Sequence, residues 1–347
     1  MHGGIRSVRK YLFGNSPLGP SRKVKAAIRK ATGKINSGTD EARERFERML
    51  FSQCGVREES VLLGSSLKEL VYIVFRALKP ASVLIIGPAV DDYREAALST
   101  GASVETFCSK EERQFLPDLK ALKAEAGKSD LLLLANPNRI TGRALTDGAL
   151  SELLDIISEQ GRTLVIDEAF IEFVPDQGCV RRAAQEGNLI VLRTTAYYYG
   201  MPGLELAYAV SSPVMIRELL KERCGDLNLL AIEAALTAMR DKAYRRLSAL
   251  FMEEEKRLLS RAISRLPVIR MFDSDTQVIL IHLAEHAADF AHRAEQQGLA
   301  VASCSMIDCL DSSYLRFSVM KHEHNLKFAK LLKRIIAERA EKGREPR

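Results

Sequence analysis

The 347-residue chain lacks several features that would fix its class at once: it has no tryptophan, only 6% aromatic residues, and six cysteines without a C-x-x-C pair. No apolar run approaches the ~18–20 residues of a membrane span. The start, Met1-His-Gly-Gly-Ile-Arg, has no apolar signal core. The scattered cysteines are more typical of reduced thiols than of a disulfide framework or a zinc site. We therefore expect a cytoplasmic protein without a membrane span.

The composition that is present is that of an ordinary soluble protein, with 46% apolar and 28% charged residues and a net charge of +6. Much of this charge falls in residues 327–347, a run more typical of a solvated helix and tail than of nucleic-acid binding. The pair His322 and His324 precedes a polar helix, so we discount it as a metal site. We expect no metal and no nucleic-acid partner.

Short apolar runs alternate with helical periodicity between residues 61 and 210. The predicted strands are 61–63, 83–86, 104–107, 131–134, 164–166, 190–192 and 206–210. The predicted helices between most of them are 67–78, 91–98, 116–126 and 147–160. Near-continuous apolar strands joined by helices predict a largely parallel sheet with helices on both faces.

A second, smaller unit follows in the sequence. A long helical stretch is predicted over 227–266, then strands at 268–271, 277–282, 299–302 and 315–319 with helices at 287–297 and 325–340. The length leaves room for two domains. We predict an N-terminal arm and helix over 1–36, a large α/β domain over 37–225, and an interdomain helix with a small C-terminal α/β domain over 226–347.

Polar motifs follow four predicted strands, where ligands bind in open parallel sheets. The motifs are Gly64-Ser65-Ser66, residues 88–93 ending in Tyr93, residues 136–142 with Arg139, and Asp167-Glu168. Backbone N–H groups at the helix start after Gly64 suit an anion, although a plain helix cap is equally expected. Asp167 follows a buried strand and needs either a cationic partner or a backbone amide. We expect these motifs to converge on one pocket.

In this order the motifs resemble those of fold-type I pyridoxal-phosphate (PLP) enzymes, closest to threonine-phosphate decarboxylases and histidinol-phosphate aminotransferases. Residues 165–173 (VIDEAFIEF) resemble the strand that carries the family aspartate, and 136–142 (NPNRITG) resemble N-P-N-N-P-T-G. Residues 192–210 resemble the cofactor-lysine segment, L-R-S-x-[ST]-K-x-[FY]. The resemblance runs from Asn15 to Arg316. It implies the fold-type I aminotransferase fold, with a mostly parallel seven-stranded sheet, a smaller α/β domain and a homodimer.

The resemblance also implies roles for individual residues. Asp167 would hold the pyridine nitrogen of PLP, and Tyr93 would stack on its ring. The phosphate would lie near Ser65, Ser66 and Thr194. The substrate, an amino-acid phosphate or a similar anionic small molecule, would contact Asn15 and Arg316.

The sequence departs from the family pattern where the cofactor would bind. Tyr197 stands at the lysine position, Glu205 at that of a phosphate-binding arginine, and Arg139 at that of an asparagine. Ser66 replaces a glycine, and Gly38 lies where a tyrosine is usual. A phenol cannot form an imine, and a carboxylate repels a phosphate by ~4 kcal/mol at ~4 Å and an effective dielectric of ~20. No lysine lies between Leu192 and Arg217.

Three hypotheses follow. The first is a PLP-dependent threonine-phosphate decarboxylase or aminotransferase, of the kind that serves cobalamin side-chain synthesis, which works without this lysine. The second is an inactive pseudoenzyme dimer that binds a protein partner or, through Lys68, Arg139 and Arg316, an anionic small molecule. The third uses Tyr197 as a general acid or base whose pKa Arg139 lowers. The sequence favours lost or altered PLP chemistry on an intact fold.

Overall fold

The computed structural model describes residues 14–223, 225–266, 269–283, 287–299 and 301–342. Among them, no helix combines the length and apolarity that crossing a membrane requires. The strands are β1 (Val61–Gly64), β2 (Ser82–Gly87), β3 (Ser103–Cys108), β4 (Leu131–Ala135), β5 (Thr163–Asp167), β6 (Leu189–Thr194), β7 (Ala207–Val210), β8 (Ile269–Met271), β9 (Val278–Leu283), β10 (Val301–Ser303) and β11 (Tyr314–Ser318). The helices are α1 (Arg22–Ala31), α2 (Asp40–Cys54), α3 (Leu67–Leu78), α4 (Asp91–Leu98), α5 (Leu119–Ala126), α6 (Asp147–Glu159), α7 (Val180–Ala183), α8 (Pro213–Leu220), α9 (Leu229–Arg240), α10 (Lys242–Ile263), α11 (Ala287–Gln296) and α12 (His322–Lys342).

Seven strands form the large sheet in the order β1-β7-β6-β5-β4-β2-β3. The pairs from β6 across to β3 are parallel, whereas β7 runs antiparallel to both of its neighbours. The carboxyl ends of β1, β2, β4, β5 and β6 therefore share one edge with the start of β7. This edge holds all four motifs predicted to converge.

Alternate side chains of the central strands enter two separate cores, as expected for a sheet covered on both faces. Leu84 and Ile86 of β2 lie in a core shared with α2, α6 and α9. Val83 and Ile85 lie in the opposite core, shared with α3 and α4. The prediction of a mostly parallel sheet with helices on both faces is confirmed.

The smaller sheet has the order β10-β11-β9-β8, and all of its pairs are antiparallel. Its core also contains apolar residues of α10, α11 and α12. The smaller C-terminal domain is therefore confirmed. The domain boundaries at 36/37 and 225/226 stay a prediction.

The single long helix predicted over 227–266 is wrong in one respect, because it is two helices, α9 and α10. Asp241 separates them with a ψ of 81°, which no α-helix continues. Its carboxylate accepts a hydrogen bond from Tyr244 N at 3.3 Å, which caps α10, and another from Lys23 Nζ at 3.2 Å. An aspartate that serves as an N-cap favours a break over helix continuation.

The prediction of reduced, unpaired cysteines is also wrong for one pair. Cys108 and Cys309 form a disulfide with a Cα–Cα distance of 5.2 Å. They are 201 residues apart in sequence, so no local spacing reveals the bond. The other described cysteines, Cys54, Cys179 and Cys304, are free thiols.

Candidate functional site

The loop 136–142 presents Arg139 at the carboxyl end of β4. Asn138 holds this loop, because its Oδ1 accepts hydrogen bonds from the N–H groups of Ile140 (2.8 Å) and Thr141 (3.0 Å). Its Nδ2 donates to the carbonyl oxygen of Pro88 at 2.8 Å. An asparagine that closes a turn in this way fixes the residue beside it. Arg139 is therefore a positioned side chain with 8% of its surface exposed.

Arg139 lies between Asp167 and Tyr197. Its Nη1 is 3.4 Å from Asp167 Oδ2, and its Nη2 donates to the Tyr197 hydroxyl at 2.6 Å. The Tyr93 hydroxyl donates a short hydrogen bond to the same Asp167 oxygen. Asp167 Oδ1 accepts from Ala169 N at 2.8 Å. We call Tyr93, Arg139, Asp167 and Tyr197 the Asp167 cluster, in which both oxygens of a carboxylate with 1% exposure are bound by the chain itself.

Burial governs the protonation of this cluster. It raises the pKa of the Tyr197 hydroxyl above its ordinary value, and the nearby charge of Arg139 only partly offsets this. Burial and the charge of Asp167 raise the pKa of Tyr93 well above its ordinary value. Although burial opposes the charge of Arg139, Tyr197 and Asp167 raise its pKa. Arg139 does lower the pKa of Tyr197, as the hypothesis of a general acid or base requires, but burial raises that pKa by more. The expectation of a net lowered pKa is therefore wrong, and the phenol is a neutral hydrogen-bonding group near neutral pH.

A second group, the Glu205 site, forms where β6, β7 and the start of α3 meet. Glu205 Oε1 accepts a hydrogen bond from the Thr194 hydroxyl at 2.6 Å and one from Leu67 N at 3.0 Å. Leu67 is the first residue of α3, where unpaired N–H groups and the helix dipole favour an anion. The predicted anion position is thus bound by a carboxylate of the chain.

The two serines predicted to bind phosphate, Ser65 and Ser66, make hydrogen bonds at the start of α3, and their role in phosphate binding stays a prediction. Ser66 Oγ accepts from Glu69 N at 3.1 Å and caps α3. Ser65 donates through both its N–H and its hydroxyl to Glu69 Oε2, each at 2.6 Å. Lys68 does not join this group, because its Nζ bonds Asp92 and Glu95 at 2.8 and 3.0 Å on the exposed side of α3. The hypothesis that Lys68 helps to bind an anion in the pocket is not supported by this placement.

Arg316 reaches the site from β11 of the smaller sheet. Its Nη1 donates to the carbonyl oxygen of Arg139 at 3.2 Å. Burial lowers the pKa of Arg316, and the charge of Arg139 lowers it further. On the opposite side, Ser16 N donates to Tyr197 O at 2.8 Å, which brings the buried Asn15 next to the same segment. The structure therefore brings the two predicted substrate residues to the edges of the Asp167 cluster.

The comparisons with known proteins agree with this architecture. The sequence profile of the family Aminotransferase class I and II matches residues 7–332. The chain belongs to this family.

Individual relatives are distant but cover nearly the whole chain. A threonine-phosphate decarboxylase from Salmonella typhimurium is 25% identical over 324 residues, which are 92% of this chain and 89% of that protein. The structure of a histidinol-phosphate aminotransferase from Clostridium acetobutylicum matches with a TM-score of 0.86 at 21% identity, covering 94% and 98% of the two chains. A histidinol-phosphate aminotransferase from Sinorhizobium meliloti, solved in complex with pyridoxal-5'-phosphate, matches with a TM-score of 0.83 at 20% identity over 94% and 89%. The family thus implies PLP as its cofactor.

One buried ion pair in this aminotransferase-family chain was not predicted from the sequence. Glu168, with no exposed surface, accepts from Arg193 Nε at 2.7 Å and from Cys179 N at 2.6 Å. It connects the end of β5 to β6, one residue after Asp167 in the chain. The signal available was the acidic pair at the end of β5, but the partner Arg193 lies 25 residues away on the next strand.

Proposed function

We propose that this protein is a member of the class I/II aminotransferase family that performs no lysine-based PLP chemistry and instead binds a small anion with a carboxylate group. The observation that carries the proposal is the position of Arg139 between Asp167 and Tyr197. By the motif resemblance, Asp167 and Tyr197 stand where the family places the partner of the pyridine nitrogen and the Schiff-base lysine. Here a protein cation lies against the carboxylate and the phenol.

The Asp167 cluster does not fit a pyridine ring bound in the family manner. Such a ring would need a carboxylate oxygen of Asp167, but Oδ2 is bound by Tyr93 and Arg139 and Oδ1 by Ala169 N. Displacing Arg139 would leave a guanidinium in a site with little access to water, and burying an unpaired charge is costly. Tyr197 offers a neutral phenol in place of an amine.

The Glu205 site does not fit a phosphate. The donors that suit this group, Leu67 N and the Thr194 hydroxyl, already bind Glu205 Oε1. A phosphate dianion placed beside that carboxylate would add like charges at short range. The Asp167 cluster therefore does not fit the pyridine ring of PLP, and the Glu205 site does not fit its phosphate, for two independent reasons.

The carboxylate ligand is proposed because of Arg316. The charges of Arg316 and Arg139 lie near each other, and burial together with that proximity lowers the pKa of Arg316. An anion with a carboxylate relieves this repulsion, and the planar guanidinium binds carboxylates through paired hydrogen bonds. The names of two relatives give threonine phosphate and histidinol phosphate as their substrates. Of these two, threonine phosphate has the carboxylate that we propose for the ligand. We propose that it binds from the Arg316 side of the pocket.

The proposal includes a homodimer, which the resemblance implies, and a location in the cytoplasm, which the sequence predicts. Large apolar side chains are more than half exposed at Ile35, Phe51, Leu247 and Leu250, and burying such surface favours association. Sedimentation analysis of the purified chain measures this directly. A mass of one chain at micromolar concentration would remove the dimer from the proposal.

The first experiment titrates the purified protein with PLP and records the visible spectrum before and after borohydride. We expect no reducible imine band and no saturable binding. A reducible band would mean that another lysine forms the imine, and the threonine-phosphate decarboxylase function would be favoured instead.

The second experiment measures binding of O-phospho-L-threonine by calorimetry. We expect binding that Arg316→Gln weakens at least tenfold. Arg270→Gln is the matched control, because Arg270 lies on the same sheet at the surface and pairs with Glu111. Equal affinity in both variants would contradict the proposed role of Arg316.

A further inference from the structure

The disulfide joins the two domains of the protein. Cys108 is the last residue of β3, the edge strand of the large sheet, and Cys309 lies in the connection between β10 and β11 of the small sheet. The sequence separation of 201 residues means that the bond closes most of the chain into one loop. Such a bond restricts the unfolded chain and also fixes the folded domains against each other.

A glycine of the large domain, Gly87, lies next to the disulfide. Gly87, the last residue of β2, faces the sulfur of Cys309, and a Cβ at position 87 would come within 2.9 Å of it. A Cβ at position 87 would also lie 2.9 Å from Thr106 Cγ2. Real Cβ atoms do not approach other atoms so closely, so glycine at position 87 leaves space for both Cys309 and Thr106. Of the two cysteines in the loop that precedes β11, Cys304 is fully buried and free, so only Cys309 meets the large domain.

An ion pair next to the disulfide also joins the domains. Asp308 accepts a hydrogen bond from Thr106 Oγ1 at 3.0 Å and a short one from Arg94. Arg94 in turn donates to Thr106 at 2.7 Å. We call Arg94, Thr106, Cys108, Asp308 and Cys309 the interdomain clasp. Its ionic part is exposed, so it contributes little by itself.

The domains also touch outside the clasp. Phe115 packs edge-to-face against Phe272 (5.0 Å between ring centroids) and Tyr314 (5.8 Å). Glu111 pairs with Arg270 and accepts from Tyr314. These contacts do not involve the sulfurs, so they can hold the two domains together when the disulfide is reduced.

We propose that the interdomain clasp is a redox-sensitive switch, in which reduction of Cys108–Cys309 releases the connection between β10 and β11 from the large domain. Cys108 is exposed, so a small thiol reaches the bond directly, and exposed disulfides are the ones that exchange readily. Two thiols of a reductant such as glutathione supply two electrons and two protons. The S–S bond breaks to give two protein thiols, and the reductant leaves as its own disulfide.

The released connection leads straight into β11, which carries Arg316. Cys309 precedes Arg316 by seven residues, and β11 is held in the sheet by β9 and β10. Reduction therefore frees the loop first, while the strand keeps its register. The clasp does not depend on the proposed function of the pocket, since its parts lie outside the Asp167 cluster and the Glu205 site.

The test equilibrates the full-length protein in glutathione buffers of graded redox state and measures three quantities. Peptide mapping gives the fraction of cross-linked Cys108 and Cys309, hydrogen exchange gives the opening of residues 304–313, and thermal unfolding gives Tm. The variants are Cys309→Ser, which removes the bond, and Cys54→Ser, a matched control with a partly exposed free thiol. Asp308→Asn removes the ion pair and keeps the disulfide.

We expect the oxidised protein to contain the Cys108–Cys309 peptide. Reduction should raise the exchange rate of 304–313 at least tenfold and lower Tm, with strands β4 and β5 unchanged. Cys309→Ser should match the reduced protein in either buffer, whereas Cys54→Ser and Asp308→Asn should respond as the wild type does. The proposal is overturned by absence of the cross-linked peptide after oxidation, by resistance of the native bond to excess glutathione, or by equal exchange in both states.

Discussion

The Asp167 cluster and the Glu205 site, the deep end and the shallow end of the candidate site, each bind a carboxylate of the chain but bury it to different extents. At the Asp167 cluster a buried carboxylate is bound by a buried guanidinium, with exposed fractions of 1% and 8%. At the Glu205 site a carboxylate that is only partly buried binds a helix start and one hydroxyl. A buried charge needs an opposite charge or hydrogen bonds from the protein, whereas a partly exposed charge is also solvated by water. We therefore expect substitutions at the Asp167 cluster to lower the free energy of unfolding strongly, and substitutions at the Glu205 site to lower it only slightly.

The largest effect on stability is expected when the buried cation, Arg139, is removed. Arg139→Ala leaves Asp167 without its cationic partner, and removing one member of a buried pair costs about 3 kcal/mol of the free energy of unfolding. Urea denaturation measures the loss. Arg143→Ala is the control, because it lies on the same loop and its pair with Asp275 is partly exposed, so a change below about 1 kcal/mol is expected. Equal losses in the two variants would remove the distinction between deep and shallow charges.

A half-buried acid, Glu172, with one buried carboxylate oxygen extends the comparison. Glu172 Oε2 is buried without a hydrogen-bond partner among the described residues, and burial raises the pKa of this carboxyl to about 7. Between pH 4.5 and 7 the unfolded chain loses this proton while the folded protein keeps it. Glu172 therefore contributes stability that is complete below about pH 4.5 and is lost as the pH rises through 7.

Glu172→Gln should remove this dependence. Between pH 4.5 and 7.5 the free energy of unfolding of the wild type should fall by about 1–2 kcal/mol relative to that of the variant. Chemical denaturation at the two pH values measures it, and the exposed Glu159→Gln serves as control. A difference that does not vary with pH would show that Glu172 titrates normally in the folded protein.

At the shallow end, Glu205→Ala should cost about 1 kcal/mol, because it removes two hydrogen bonds that water partly replaces. The same change frees Leu67 N and the Thr194 hydroxyl for an anion. Inorganic phosphate should then raise the Tm of the variant but not that of the wild type.

Two controls make this result specific. Adding Thr194→Val to Glu205→Ala should reduce the response to phosphate, because one donor is lost. Glu218→Ala removes an exposed carboxylate from α8 and should leave the response to phosphate as in the wild type. A wild-type protein that phosphate stabilises as strongly as Glu205→Ala would contradict the idea that Glu205 takes the place of an anion.

The smallest effect is expected for Tyr197→Lys, although this substitution places a lysine where the family has its Schiff-base lysine. Tyr197→Lys alone should form no reducible imine with PLP, because Arg139 still binds Asp167 and Glu205 still repels the phosphate. Combining it with Arg139→Asn and Glu205→Arg changes both ends of the pocket, and this triple variant should form the imine. Visible absorption and the mass after borohydride distinguish the two. An imine in the single variant would show that the two ends do not exclude PLP.

Much of the scaffold could be predicted from the sequence. The helices at 67–78 and 91–98 begin and end where their periodicity and flanking residues indicate, because capping and amphipathicity are local properties. The strands of the large sheet lie within a residue or two of their apolar runs. The break at Asp241 was missed, since a helix-compatible pattern continues on both sides of it and only the capping geometry shows the end of α9.

The residues of the candidate site were predicted from the sequence, but the hydrogen bonds and ion pairs between them were not. The sequence places Arg139, Asp167 and Tyr197 at strand ends, and the resemblance marks Tyr197 and Glu205 as departures from the family. That Arg139 binds the other two follows only from the fold, since Arg139 and Tyr197 are 58 residues apart. The burial that raises the pKa of Tyr197 likewise depends on neighbours that no local pattern contains.

The sequence by itself thus determined the order of the strands and helices and the motifs that carry the family resemblance, because each motif consists of residues close together in the chain. The tertiary structure alone decided which charges neutralise one another. It placed Glu205 on the donors of α3, Arg139 on Asp167, and Cys309 against Cys108. The physical reason is that electrostatic pairing and disulfide formation depend on distance in space, and only the closed sheet and the docked domains set those distances.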